Sequence, residues 1–120
     1  MSDEKILYVI SRAAYSNASG QEALDAILIG ASFDLDVSVL FIHDGVFQLK
    51  QGQQSSDKGL KLFTKTYKAL ADFGVEKIYI HDLSIASRGL TQSDLICTVT
   101  PLDSLAVGEL IAQQAKVFTF

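Results

Sequence analysis

The chain has 120 residues, 48% of them hydrophobic, with 14 Asp and Glu against 10 Lys and Arg for a net charge of −4. That length suits one domain over residues 1–120 with one core, large enough to fold without disulfides, a structural metal or a cofactor. The acidic balance argues against direct nucleic-acid binding, because the densest basic row, Lys58, Lys61, Lys65 and Lys68, falls at helical spacing and reads as a solvated helix face.

In chain order, the charged segment Met1–Lys5 leads into the apolar run Ile6–Ile10, too short for a signal peptide or a membrane span. A cytoplasmic protein with no membrane partner is therefore expected. Ile6–Ile10 reads as the first strand, and Val37–Ile42, Lys77–Ile80, Leu95–Val99 and Lys116–Phe120 as four more. Several of these runs are apolar at nearly every position, as strands covered on both faces must be.

Helical spacing fills the intervals. From Ser19 to Phe33, Leu24, Ile27, Leu28 and Ala31 recur at i, i+3, i+4 and i+7, with Ser19 and Glu22 forming a capping box. Lys58–Phe73 carries Leu60, Phe63, Tyr67 and Leu70 on one side and ends before Gly74, which suits a left-handed C-cap. A short helical turn is predicted over Ser84–Arg88. A last helix is predicted from the Thr100 N-cap and Pro101 to about Ala115. Strands alternating with helices in this way predict a three-layer α/β/α sandwich of flavodoxin-like type, with a mostly parallel five-stranded sheet and right-handed crossovers.

Two stretches are more apolar than the fold requires. The first helix adds Ala23, Ala26, Ile29 and Phe33 on its flanks, a wider arc than one sheet face needs. After the second strand, Asp44, Gly45, Val46, Phe47, Gln48 and Leu49 place three large apolar residues in a loop. Asp44, Gly45, Val46, Phe47 and Leu49, with Ile29 and Phe33, are therefore expected to form protein interfaces.

Ligands of open α/β sheets bind beyond the carboxyl ends of the strands. The loop Ser11–Gly20 there has neither G-x-G-x-x-G nor G-x-x-x-x-G-K-[ST], so no nucleotide cofactor is expected. A small-anion site at the following helix N-terminus stays open on fold analogy alone. His43-Asp44 and His81-Asp82 both end strands, but no other histidine is present, and no metal site is expected. Cys97 is the single cysteine, which precludes an intrachain disulfide and fits a reducing compartment. It lies within the apolar run Leu95–Val99 and reads as a small core hydrophobe. The alternative makes Cys97 a thiolate nucleophile assisted by His43 or His81.

Gly20–Leu28, Phe41–Leu49, Arg88-Gly89-Leu90 and Thr100-Pro101-Leu102, taken together, resemble the DsrE/DsrF family, and within it the C-type subunits of Tus sulfur-relay complexes. The resemblance covers nearly the whole chain, and Asp44–Leu49 is its most specific part. It implies a DsrEFH-like fold and a hetero-oligomer with B-type and D-type subunits, two copies of each, that receives persulfide sulfur from an upstream carrier. A downstream carrier then passes the sulfur towards 2-thiouridine at the wobble position of tRNA. In that family the D-type subunit carries the persulfide on a cysteine at the end of the third strand, eight residues before the glycine of an Arg-Gly pair. Here that position is His81, eight residues before Gly89. An imidazole cannot hold and release a sulfane atom. The resemblance therefore implies an accessory, non-catalytic subunit, which alone is expected to self-associate. The rival expectations are a persulfide carrier using Cys97 and a subunit of intracellular sulfur oxidation of DsrF type.

Overall fold

The two central apolar runs become strands buried over most of their length, Ile6–Ile10 of the first and Val37–Phe41 of the second. The computed structural model describes residues 4–12, 19–33, 35–49, 75, 77–95 and 99–120. Within them β1 (Lys5–Ile10), α1 (Ser19–Ser32), β2 (Asp36–Phe41), a 3-10 helix (His43–Leu49), β3 (Lys77–His81), α2 (Asp82–Ser87), a 3-10 turn (Gln92–Asp94), β4 (Thr100–Leu102), α3 (Ser104–Ala112) and β5 (Lys116–Thr119) follow in order. The strands form one sheet in the order β4-β3-β2-β1-β5, and every pairing is parallel, with Ile6 opposite Val37, Val39 opposite Ile78 and Ile80 opposite Pro101.

Side chains alternate across this sheet with a period of two. Ile6, Tyr8 and Ile10 of β1, Val37, Val39 and Phe41 of β2 and Ile80 of β3 form one cluster with Ile27 of α1, Val46 and Ile85 of α2. Leu7, Val9 and Leu40 face the opposite way, against Val107 and Leu110 of α3. Helices α1 and α2 thus cover one face and α3 the other, which is the three-layer arrangement expected. Tyr8 also stacks on Phe118 of β5, with ring centroids 5.6 Å apart.

Three expectations are corrected. The described fourth strand is Thr100–Leu102, directly after the expected Leu95–Val99, of which residues 96–98 lie outside the described residues. Leu95 and Val99 are buried in the cluster on the α1 face, so their apolar character reflects core packing, while the sheet pairing falls on the next three residues. Pro101 is tolerated there because, among the described residues, β4 lies at the sheet edge and pairs with β3 alone. In consequence the last helix does not start at Thr100-Pro101. Asp103 is its N-cap, its carboxylate accepting from the Ala106 N–H at 2.8 Å, and the helix ends at Ala112. Finally, part of the loop after β2 folds back on the chain's own core. Val46 is fully buried, and Gly45 sits so close to β1 that a Cβ there would lie 1.9 Å from the Ile10 carbonyl oxygen.

The expected helix over Lys58–Phe73, Cys97, and the side chains of Ser19, Glu22, Leu24 and Leu49 lie outside the described residues.

Candidate functional site

The site is set by where the chain leaves the sheet. After β3 it turns into α2, whose Ile85 packs on the α1 face, and after β4 it turns into α3 on the opposite face. Connections that depart to opposite sides leave a crevice between the carboxyl ends of the two strands, the usual ligand position in open α/β sheets. His81 closes β3 at this crevice and also occupies the N-cap position of α2, with φ −75° and ψ 117°. Ser104, the first residue of α3, stands across from it.

His81 is held through both ring nitrogens. Its Nδ1 lies 2.7 Å from the Ser84 Oγ and its Nε2 2.8 Å from the Ser104 Oγ. Ser84 is 3% exposed, and its hydroxyl oxygen also accepts from the backbone N–H of His43 at 2.9 Å. A buried hydroxyl needs such partners, since an unpaired one costs about 1–3 kcal/mol. His43 itself follows β2 with φ 51°, a left-handed conformation uncommon outside glycine. The hydrogen bond to Ser84 and the seat of Gly45 against β1 hold it there. The two histidines expected at one edge thus meet there through the single hydroxyl of Ser84.

Behind this cluster, Arg88 donates from Nη1 to the Ser84 carbonyl at 3.2 Å and to the Ser87 Oγ at 3.1 Å. Its Nε pairs with Asp44 at 3.0 Å. Gly89 then takes φ 71°, and the Leu90 N–H bonds back to the Ile85 carbonyl at 2.9 Å, closing α2 with a left-handed residue. The Arg88-Gly89-Leu90 segment therefore shapes the helix end that supports Ser84.

Of the expected interface residues, Ile29 near the end of α1 and Phe33, the residue after it, are 59% and 71% exposed. Asp44 is exposed and ion-paired, Phe47 is half-buried against the core, and Gly45 and Val46 are internal. Leu105, Ile111, Val117 and Phe118 are further exposed apolar residues that the reading of the chain did not single out. It also missed Ser84, which the turn from β3 into α2 places three residues along, and Ser104, which the β3–β4 pairing brings to His81. Among the described residues no three His, Cys, Asp or Glu side chains are placed to hold a metal ion. No helix among them is long and apolar enough to cross a membrane.

An all-parallel sheet in this order, with a hydrogen-bonded polar cluster at its carboxyl edge, defines an α/β sandwich domain. A chain of the same fold is the ychN protein from E. coli, at a TM-score of 0.80 over 98% of this chain and 99% of that one, with 19% identity. The chain belongs to the DsrE/DsrF-like family, whose model it matches over residues 4–120. It is 40% identical to the intracellular sulfur oxidation protein DsrF of Allochromatium vinosum, over 98% of this chain and 96% of that one. It is 35% identical to a TusC homolog of Pseudomonas aeruginosa, over 97% and 98%, and 32% identical to the TusC protein of Escherichia coli, over 98% and 99%.

Proposed function

We propose that this chain is an accessory subunit of a cytoplasmic sulfur-relay complex, which it serves by packing against the subunits that carry persulfide. The observation that carries the reading is the exposed pair Ile29 and Phe33 at the carboxyl end of α1, a helix whose Ile27 is already fully buried in the core. Large apolar side chains left over after the core is filled fit an obligate interface, which buries more than about 2,000 Å². The near-full-length likeness to DsrF and TusC proteins supports a relay. His81 at the carboxyl end of β3 supports a role without sulfur on that residue, because persulfide transfer needs a sulfur nucleophile. The partners in this reading are B-type and D-type subunits, two copies of each.

The destination of the sulfur separates two versions. The resemblance of Asp44–Leu49 and its neighbours favours delivery towards tRNA wobble-uridine 2-thiolation. The 40% identity to a protein named for intracellular sulfur oxidation favours the second. Co-expression with the candidate B-type and D-type subunits, followed by affinity capture on this chain, tests the shared core of both. Stoichiometric co-elution is expected, and a soluble monomer that captures neither subunit overturns the proposal. Loss of 2-thiouridine on deleting the gene selects the first version, and unchanged 2-thiouridine with impaired sulfur oxidation selects the second.

A further inference from the structure

We propose that Ser104, His81 and Ser84 form a nucleophilic triad acting on short-chain acyl esters, an activity separate from any part in sulfur relay. A serine nucleophile needs a base within hydrogen-bond reach and a third group that fixes the base. Here the Ser104 Oγ lies 2.8 Å from the His81 Nε2, and the His81 Nδ1 lies 2.7 Å from the Ser84 Oγ. The third group is itself held in place: Ser84 is buried and accepts the His43 N–H at 2.9 Å. In the tautomer that carries its proton on Nδ1, the ring donates to Ser84 and Nε2 is free to accept the Ser104 proton.

The surroundings suit acyl transfer. Ser104 is exposed at the crevice between the carboxyl ends of β3 and β4. Leu105, adjacent to Ser104, and Leu83, two residues beyond His81, are 73% and 59% exposed, so apolar surface lies near both ends of the His81–Ser104 pair. Asp103 caps the Ala106 N–H. The N–H groups of Ser104 and Leu105, in the first turn of α3, have no carbonyl acceptor within their own helix and suit a developing oxyanion.

In the first step the Ser104 Oγ attacks the acyl carbon while Nε2 takes its proton. The imidazolium then returns that proton to the leaving alcohol as the ester C–O bond breaks. Water, deprotonated by the same nitrogen, hydrolyses the seryl ester and restores the hydroxyl. No electron donor or acceptor is required.

The test is a fluorophosphonate probe applied to the folded full-length chain, with peptide mass spectrometry to locate the adduct. The expected result is an adduct on Ser104, lost in Ser104→Ala and slowed about 100-fold in His81→Ala. Imidazole added to the His81→Ala protein restores labelling, which a purely structural histidine does not explain. His81→Gln, close in size, serves if the alanine variant does not fold. No adduct on Ser104 of the wild-type chain, or equal labelling rates with and without the imidazole side chain, overturns the proposal.

Discussion

Arg88 and Asp44 meet with Nε 3.0 Å from Oδ1, joining the end of α2 to the 3-10 helix that follows β2. The two side chains contribute unequally, since Asp44 is 63% exposed and Arg88 only 24%. Exposed ion pairs contribute about 0–1 kcal/mol, so Asp44→Ala lowers unfolding free energy by less than about 1 kcal/mol. Arg88→Ala costs more, because it also strips donors from the Ser84 carbonyl and the Ser87 hydroxyl. Urea denaturation of both variants and the double variant checks the order.

Glycines 45 and 30 make a paired prediction. A Cβ at Gly45 meets backbone, the Ile10 carbonyl oxygen at 1.9 Å, whereas a Cβ at Gly30 meets the Tyr8 hydroxyl at 2.8 Å. Backbone within a sheet cannot give way as a side-chain end can. Gly45→Ala is therefore expected to cost at least about 3 kcal/mol. Gly30→Ala stays within about 1 kcal/mol, helped by the helix preference for alanine. Denaturant midpoints of the two variants separate them.

Alkaline pH works against the folded state through Tyr8. Burial raises its hydroxyl pKa above the ordinary 10.0, so the phenolate is disfavoured in the folded chain. The folded state is fully favoured below pH 10 and loses ground as pH climbs from there through the raised value. Lys77 also has its pKa raised above 10.5, first by its hydrogen bond to Asp36, and its contribution is likewise lost on the alkaline side. That pair is exposed and worth under about 1 kcal/mol, less in salt. Tyr8→Phe is expected to flatten the fall in stability above pH 10, and Lys77→Met to alter it little, as followed by denaturant unfolding across that range.

The proposed interface at Ile29 and Phe33 predicts a separation of assembly from folding. Ile29→Asp with Phe33→Ser changes two exposed side chains, so the unfolding free energy of the isolated chain stays within about 0.5 kcal/mol per substitution. Capture of partner subunits is lost. A double variant that still assembles in full places the interface elsewhere, with Leu105, Ile111, Val117 and Phe118 the next surface to change.

Strands β1, β2, β3 and β5 were legible in the residues to within one position, β1 and β2 because burial on both faces leaves few polar positions inside a run, β3 and β5 because they are short runs rich in Ile, Val, Tyr and Phe. β4 was not. Leu95 and Val99 are as apolar as a strand but belong to the core cluster. Thr100-Pro101-Leu102 looks like a helix start until edge pairing with β3 is known. His43 and His81 could be placed at one edge from strand ends alone. Ser104 could not be joined to His81, because 23 residues separate them and the strand order that brings them together has no local signal. The loop Asp44–Leu49 was misread in part for a similar reason: its apolar residues announce burial without saying against what.

The claim that this chain supports sulfur traffic without carrying it is tested most directly on Cys97, its single thiol. The measurement is mass spectrometry of the assembled complex, quenched during turnover with a persulfide donor. Sulfane sulfur is expected on a partner's cysteine, with Cys97 recovered as the plain thiol. An additional sulfur on Cys97 that appears and disappears with turnover contradicts the account.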